Sequence, residues 1–303
     1  MRALISGATG FIGRRLVNAI DQPVVLSRNP ASARRALGDA EAFGWDMLAG
    51  PPPPEALAGV EAVFHLAGEP VAEGRWNDNK KRRIRDSRTI GTANLVRGLE
   101  AAKPRPRVLV CASAIGYYGS RGDEILDEAS SPGDDFLAQV CRDWEAAAAA
   151  AQQFGMRVVN LRIGIVLGPD GGALGKMLLP FKLGLGGRLA SGRQWMSWIH
   201  VDDVVGLMLY AAQHEDVAGP INAVAPAPVT NRDFTRTLAG VLHRPALFPA
   251  PAFALRLAVG GFAEVLLGSQ RVLPRAALRS GYPFQYSELA AALKAIVPSR
   301  EAT

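Results

Sequence analysis

Ser6-Gly7-Ala8-Thr9-Gly10-Phe11-Ile12-Gly13 follows the apolar run Ala3-Leu4-Ile5 and opens a helical pattern that reaches about Ile20. The three glycines of such a strand-to-helix turn have separate uses. Gly7 permits the tight turn, Gly10 lets backbone N–H groups, including those of Thr9, Phe11 and Ile12, approach a pyrophosphate, and Gly13 lets the helix pack closely on the strand. The helix N-terminus adds positive partial charge at the same place. A lone glycine triplet is a weak signal, but this one stands at the first βα turn of an alternating chain and reads as a dinucleotide cradle.

Outward from that turn, short apolar runs alternate with longer helical patterns. Strands are expected at residues 3–6, 24–27, 41–44, 62–66, 107–112 and 158–162, with another at 220–224. Most are apolar throughout, as parallel strands covered on both faces are. The fold class is therefore α/β, a Rossmann-type doubly wound parallel sheet. The stripe Ile84, Arg88, Gly91, Leu95 and Leu99 predicts a helix that turns Arg88 inward, while the other basic residues of Lys80-Lys81-Arg82-Arg83-Ile84-Arg85 read as a solvated surface. A second helix starts at Asp134 or Asp135, runs through Leu137, Val140, Cys141, Trp144, Ala148 and Ala151, and ends before Gly155. Beyond Gly168 the loops become Gly-rich, and beyond Val224 Pro-rich. Residues 1–168 and 196–224 are thus expected to form the dinucleotide-binding domain, and 169–195 and 225–303 a smaller C-terminal substrate lobe.

The composition fits a globular chain: 303 residues, 49% hydrophobic and 20% charged, with mean hydropathy +0.09, which excludes collagenous, coiled-coil and disordered classes. Cys111 and Cys141 cannot build a disulfide framework, and a reducing, cytoplasmic setting is expected. His65, His200, His214 and His243 show no ligand spacing, so no metal site is expected. Residues 252–268 are interrupted by Arg256 and Glu264 and are too short to span a bilayer, so no membrane partner is expected either. The formal charge of +6 could draw nucleic acid, an anionic surface or an anionic ligand. Its basic run lacks interleaved aromatics, which argues against nucleic acid. A monomer or homodimer acting on a small molecule is expected.

The end of the second strand distinguishes the two dinucleotides, since a carboxylate there would hold the ribose 2′-hydroxyl of NAD and a basic residue the 2′-phosphate of NADP. Arg28 occupies it, with Arg34 and Arg35 following. NADP(H) is the expected cofactor. Asp46, after the third strand, is placed either to accept from the adenine amino group or to start a helix. The ends of later strands bring Leu66, Ala67, Gly68 and Ala112 to the cofactor, joined by the inward Arg88, which needs a phosphate, a substrate oxygen or a carboxylate such as Glu69 as acceptor.

With Gly7-x-x-Gly10-x-x-Gly13, His65-Leu66-Ala67-Gly68, Ser113-Ala114-Ile115-Gly116-Tyr117-Tyr118-Gly119 and Ile199-His200-Val201-Asp202-Asp203, the chain resembles the extended short-chain dehydrogenase/reductase superfamily over nearly its whole length. More narrowly it is similar to the NAD(P)-dependent epimerase-like branch with a C-terminal domain of unknown function (DUF1731 type). Gly68-Glu69-Pro70, Ser87-Arg88, Trp144-Glu145, Ser197-Trp198-Ile199-His200 and Gly281-Tyr282-Pro283-Phe284 carry that narrower resemblance. The superfamily uses a tyrosine and, four residues on, a lysine that lowers the phenol's pKa. Aligned on Glu145, those positions fall on Leu137 and Cys141, and no Tyr-x-x-x-Lys occurs anywhere in the chain.

The chemistry is then expected to rest on Ser113 and Tyr117, with Glu69 as acid/base or substrate ligand. A phenol without that lysine stays protonated at neutral pH, which favours the reductive direction. Cys141 reads as a small buried residue, Asp202-Asp203 as a helix cap, and Trp198 and His200 as walls of the cleft. Met177, Leu178, Phe181, Gln194 and Trp195 are the other substrate-lobe candidates. The expected function is an NADP(H)-dependent oxidoreductase or epimerase-like enzyme acting on a small carbonyl or sugar-nucleotide-like substrate. The alternative is a non-catalytic NADP(H)-binding regulator or redox sensor, consistent with the missing Tyr-Lys pair.

Overall fold

Buried apolar strands form one seven-stranded sheet in the computed structural model, which describes residues 1–38 and 40–297. Asp39 and the last six residues expected in the C-terminal lobe, 298–303, lie outside the described residues. The strands are β1 (Arg2–Ser6), β2 (Gln22–Ser27), β3 (Glu41–Gly44), β4 (Ala62–His65), β5 (Val108–Ala114), β6 (Arg157–Ile163) and β7 (Gly219–Ala223). They lie in the order β7-β6-β5-β4-β1-β2-β3, with every neighbouring pair parallel. The chain starts at the centre, winds outward through β3 and returns on the other side through β4. The switch between β1 and β4 opens a crevice at the carboxyl ends of the strands, where ligands bind in such sheets.

Eleven helices are described: α1 (Phe11–Asn18), α2 (Pro30–Leu37), α3 (Asp78–Ala101), α4 (Phe136–Ala149), α5 (Gly172–Lys182), α6 (Val201–Gln213), α7 (Asn231–Leu242), α8 (Ala252–Val259), α9 (Ala263–Leu267), α10 (Arg275–Arg279) and α11 (Leu289–Ile296). Alternate residues of β1 serve opposite faces. Ile5 packs with Leu16 of α1 and Leu207 of α6, whereas Leu4 packs with Leu95 and Leu99 of α3. Asp135 settles the start of α4, its carboxylate accepting from the Ala138 N–H at 2.9 Å. A 3-10 turn, Ala150–Phe154, then stops at Gly155, whose φ of +87° favours glycine.

A further core gathers Leu174 and Phe181 of α5, Phe234 and Leu238 of α7 and Leu293 of α11 around Trp198. Trp198 is fully buried and donates its indole N–H to the Ala227 carbonyl at 2.9 Å, so it is core and not cleft wall. Phe181 and Gln194 are likewise buried. The acids after His200 also differ from expectation. His200 itself caps α6, its Nδ1 accepting from the Asp202 N–H at 3.2 Å, and its ring lies tilted against Tyr286, the centroids 3.9 Å apart. Asp203, fully buried, accepts from the N–H groups of Gln285 and Tyr286 at 2.8 and 2.9 Å and so ties the C-terminal segment to α6.

Candidate functional site

The glycine turn is built as its spacing requires. Gly7 has φ +74°, and a Cβ there would stand 2.8 Å from Leu66 C and Ala67 N, so the β1 turn and the exit from β4 touch. At Gly13 a Cβ would meet the Gly7 carbonyl at 2.3 Å, which any side chain would break. Gly10 is different: it is exposed, and a Cβ would meet only the Gly7 carbonyl, at 3.2 Å. The backbone is therefore open to close approach from outside. Gly10 is also the N-cap of α1, with no side-chain cap and no acid in the first turn, leaving the positive helix end to a ligand. Thr9 is exposed, its carbonyl accepting from Arg14 Nε at 2.9 Å. Phe11 and Ile12 are half-buried. The Phe11 ring leans on the start of α5, where Cβ atoms at Gly168, Gly171 and Gly172 would lie 2.6, 2.6 and 3.1 Å from its atoms.

Arg28 is exposed at the end of β2, and its neighbour Asn29 caps α2 by accepting from the Ser32 N–H at 3.0 Å. Asp46 is exposed as well. Its Oδ1 accepts from the Leu48 N–H at 3.0 Å, so one carboxylate oxygen closes a turn.

At the exit of β4 the backbone is pinned to α3. The Glu69 N–H donates to Ser87 Oγ at 2.9 Å, and Arg88 Nη1 donates to the Glu69 carbonyl at 3.0 Å and the Ile84 carbonyl at 3.1 Å. Arg88 does turn inward, but its acceptors in this structure are main-chain carbonyls and not the Glu69 carboxylate. Its guanidinium lies over the Trp144 ring at 5.0 Å and against Gly68, where a Cβ would stand 3.3 Å from Arg88 Cζ. The Glu69 carboxylate binds Lys80 Nζ at 2.7 Å and lies 3.5 Å from Arg83. The Lys80 hydrogen bond outweighs desolvation, and with the charges of Lys80, Arg83 and Arg28 it holds Glu69 below the usual carboxylate range. Lys80 is only 5% exposed, which corrects its assignment to a solvated face. It stands four residues before Ile84, so carrying the α3 stripe one turn further back would have found it.

His65, buried between β1 and α3, pairs its Nδ1 with Ser6 Oγ at 2.6 Å and its Nε2 with Thr92 Oγ1 at 3.0 Å. Burial, reinforced by the Arg88 charge, pushes its pKa down to about 4. Ser6 Oγ also accepts from the Ala67 N–H at 3.3 Å, so a neutral imidazole braces the floor of the crevice.

At the end of β5, Ser113 is buried beside Ala112 and donates to Glu145 Oε1 at 2.7 Å. Arg162 clamps the same carboxylate through Nε at 2.9 Å and Nη2 at 2.8 Å. Burial opposes the guanidinium charge, but the two-point bond to Glu145 prevails and holds it protonated. From Nη1 the network continues to the Tyr118 hydroxyl at 3.0 Å, which donates to Asn222 Oδ1 at 2.7 Å. Tyr117, half-buried, stacks its ring on Arg162, with Cζ 3.4 Å from the centroid. Leu137 and Cys141 close over Gly116, where a Cβ would meet Leu137 Cβ at 3.5 Å and Cys141 Sγ at 3.9 Å. Burial and the Glu145 charge push the Cys141 thiol up to about 12, so it is no nucleophile.

Two networks thus stand after neighbouring strands: Glu69 with Arg88 and Lys80 beyond β4, whose exit touches the glycine turn at Leu66 and Ala67, and Ser113 with Glu145, Arg162 and Tyr117 beyond β5. Lys80, Glu145, Arg162 and Asn222 support them; Glu145 served in the sequence only as the point of alignment, and none of the four was expected there as a site residue. Among the described residues no group of three His, Cys, Asp or Glu side chains could hold a metal, and no helix is long and apolar enough to cross a membrane.

Residues 3–224 match the NAD dependent epimerase/dehydratase family, and residues 250–296 match a domain of unknown function, DUF1731. The chain belongs to that epimerase/dehydratase family. An epimerase family protein of Mycobacterium bovis is 41% identical over 293 residues, covering 95% of each chain. The human epimerase family protein SDR39U1 is 38% identical over 305 residues, covering 98% of this chain and all of the human one. The crystal structure of human SDR39U1 with NADPH superposes with a TM-score of 0.87 at 36% identity, covering 98% of this chain and 99% of that one. Family membership agrees with the sheet order, the glycine turn and the crevice between β1 and β4.

Proposed function

We propose that the protein is an NADP(H)-dependent oxidoreductase or epimerase-like enzyme acting on a small carbonyl or sugar-nucleotide-like substrate. The observation that carries this reading is the contact of the open, uncapped glycine turn with the β4 exit, which puts a polar rim beside a dinucleotide cradle. Gly7, Thr9, Gly10, Phe11, Ile12 and Gly13 would hold the pyrophosphate, and Arg28 the 2′-phosphate. Asp46 retains one oxygen for the adenine, and Leu66, Ala67, Gly68 and Ala112 would border the nicotinamide half. Arg88 keeps the 68–69 backbone in place. Similarity to human SDR39U1, crystallised with NADPH, supports this cofactor. When bound, it supplies or accepts hydride.

The chain's own groups then handle the substrate. Ser113, whose proton is committed to Glu145, offers its oxygen lone pairs to a substrate hydroxyl. Glu69, held ionised by Lys80, accepts a hydrogen bond and is a poor acid, which narrows its role to substrate ligand. Tyr117 is the remaining hydroxyl donor beyond β5 and protonates a reduced carbonyl oxygen. Residues 1–168 and 196–224 serve the cofactor and 169–195 and 225–303 the substrate, in a cytoplasmic monomer or homodimer. A non-catalytic NADP(H)-binding regulator is the second reading, favoured by Leu137 and Cys141 filling the space over Gly116. Stereospecific exchange of label from nicotinamide C4 of NADPH, measured with a panel of carbonyl compounds, separates the two. Exchange supports the enzyme, whereas tight NADPH binding without exchange or turnover supports the regulator.

A further inference from the structure

A cavity of about 330 Å³ in the C-terminal part of the chain is lined by Arg188, Arg232, Thr235, Arg236, Ala239 and Leu247 among others. Arg232, Thr235, Arg236 and Ala239 are spaced three, one and three along α7 and share one face of that helix. Arg188 faces them from a segment fastened on two sides. The Ala250 N–H donates to the Arg188 carbonyl at 2.9 Å, and the Arg232 N–H donates to the Gly192 carbonyl at 2.9 Å. A Cβ at Gly187 would stand 1.9 Å from the Phe248 carbonyl, so the two walls are in direct backbone contact. The cavity is therefore framed by main chain.

Two observations point to what enters it. Three arginine side chains line the cavity, and the nearby carboxylate is Asp233, 3.9 Å from Arg236 Nη1 and engaged by the Thr230 hydroxyl at 2.6 Å. The local balance is a surplus of positive charge, which no neighbouring acid offsets fully. Thr235, meanwhile, is 5% exposed, and its hydroxyl oxygen has no hydrogen-bond partner. A buried hydroxyl left unpaired is costly, and an acceptor delivered into the cavity removes that cost. Several guanidinium forks plus one hydroxyl donor suit a tetrahedral oxyanion of charge two or more better than a carboxylate. The volume falls within the range of small-molecule pockets, and Ala239 and Leu247 supply an apolar wall beside the charged one.

We infer that this part of the chain carries a second anion site, built for the phosphate or diphosphate group of a small organic molecule. It shares no residue with the glycine turn or with Arg28. Acceptor oxygens of the ligand take N–H bonds from Arg188, Arg232 and Arg236 and the O–H bond of Thr235, while the organic body lies on Ala239 and Leu247.

The test is isothermal titration of the full chain at low ionic strength with inorganic phosphate, pyrophosphate and glucose 1-phosphate. Wild type is compared with Arg232→Gln/Arg236→Gln, Thr235→Val and Arg28→Gln. The double variant is expected to bind the favoured anion at least about tenfold more weakly, and Thr235→Val about 3- to 10-fold more weakly with thermal stability unchanged or raised. Arg28→Gln is expected to remove only anion binding at the cofactor's own 2′-phosphate position and to leave in place the binding that the double variant loses. Tighter binding of glucose 1-phosphate than of either inorganic anion assigns the apolar wall to an organic body, and the reverse order overturns that part of the proposal. Absence of binding at millimolar anion, equal affinity in the double variant, or a loss confined to Arg28→Gln overturns the site itself.

Discussion

His65 makes the stability of the fold fall on mild acidification. The imidazole is fully buried and held near pKa 4, against 6.5 for an exposed histidine. Between those two values the unfolded chain binds a proton that the native chain refuses, so stability is lost as the pH falls through this window and is restored above it. The gap between those two values corresponds to at most about 3.4 kcal/mol, and the fall from about pH 7 to about pH 5 alone is worth roughly 2 kcal/mol. His65→Gln keeps a polar group between Ser6 Oγ and Thr92 Oγ1 without a titrating proton. Urea denaturation of both proteins at a series of pH values gives the comparison. The variant is expected to be less stable at neutral pH but to show a shallower loss, the two curves converging by roughly 2 kcal/mol near pH 5. Parallel curves over that range would refute the assignment of a neutral, proton-refusing imidazole.

Arg28→Ala is expected to weaken NADPH by roughly 10- to 150-fold while leaving NADH nearly unchanged, as read by equilibrium titration. Glu145→Ala strands the buried Arg162 guanidinium and should lower unfolding free energy by about 3–5 kcal/mol, seen in a denaturant melt. Tyr117→Phe should slow single-turnover carbonyl reduction by about 10²–10⁴-fold, and a rate within about threefold of wild type removes the phenol from the mechanism. Gly13→Ala should abolish cofactor binding and destabilise the fold by about 1–3 kcal/mol or more, because its Cβ lands on the Gly7 carbonyl.

What could be read from the chain alone follows from range. The glycine turn, the strands of the sheet and the inward Arg88 are local: each is set by residues within a few positions of one another, and the strand limits shift by only one or two residues in the structure. Lys80 was within reach, since it continues the Ile84 stripe, yet a run of four basic residues concealed it. Trp198 and Asp203 were misread because their partners, the Ala227 carbonyl and the N–H groups at 285 and 286, are brought near only by the tertiary fold. The same holds for Ser113, whose acceptor lies 32 residues on, and for the arginine cavity, assembled from residue 188 and a helix beginning at 231. Spacing within one element says nothing about a pairing between two.

Phe11 and the glycines at 168, 171 and 172 form one interlocked volume. Each glycine is bare where a methyl group would overlap or crowd the ring, and the ring belongs to the first residue of the helix that opens on the pyrophosphate cradle. None of the four positions can therefore vary independently in descent. A side chain at 171 is admissible only with a smaller residue at 11, one at 168 needs room from Val201 as well, whose Cγ1 would lie 2.8 Å away, and 172 stays glycine for its φ of +68° and the Val166 carbonyl at 2.4 Å. In lineages of this protein, substitutions at 11 and 171 should arrive together, a change at 168 should bring one at 201 with it, and 172 should stay glycine, so a library that randomises these positions one at a time will recover almost only the parental sequence.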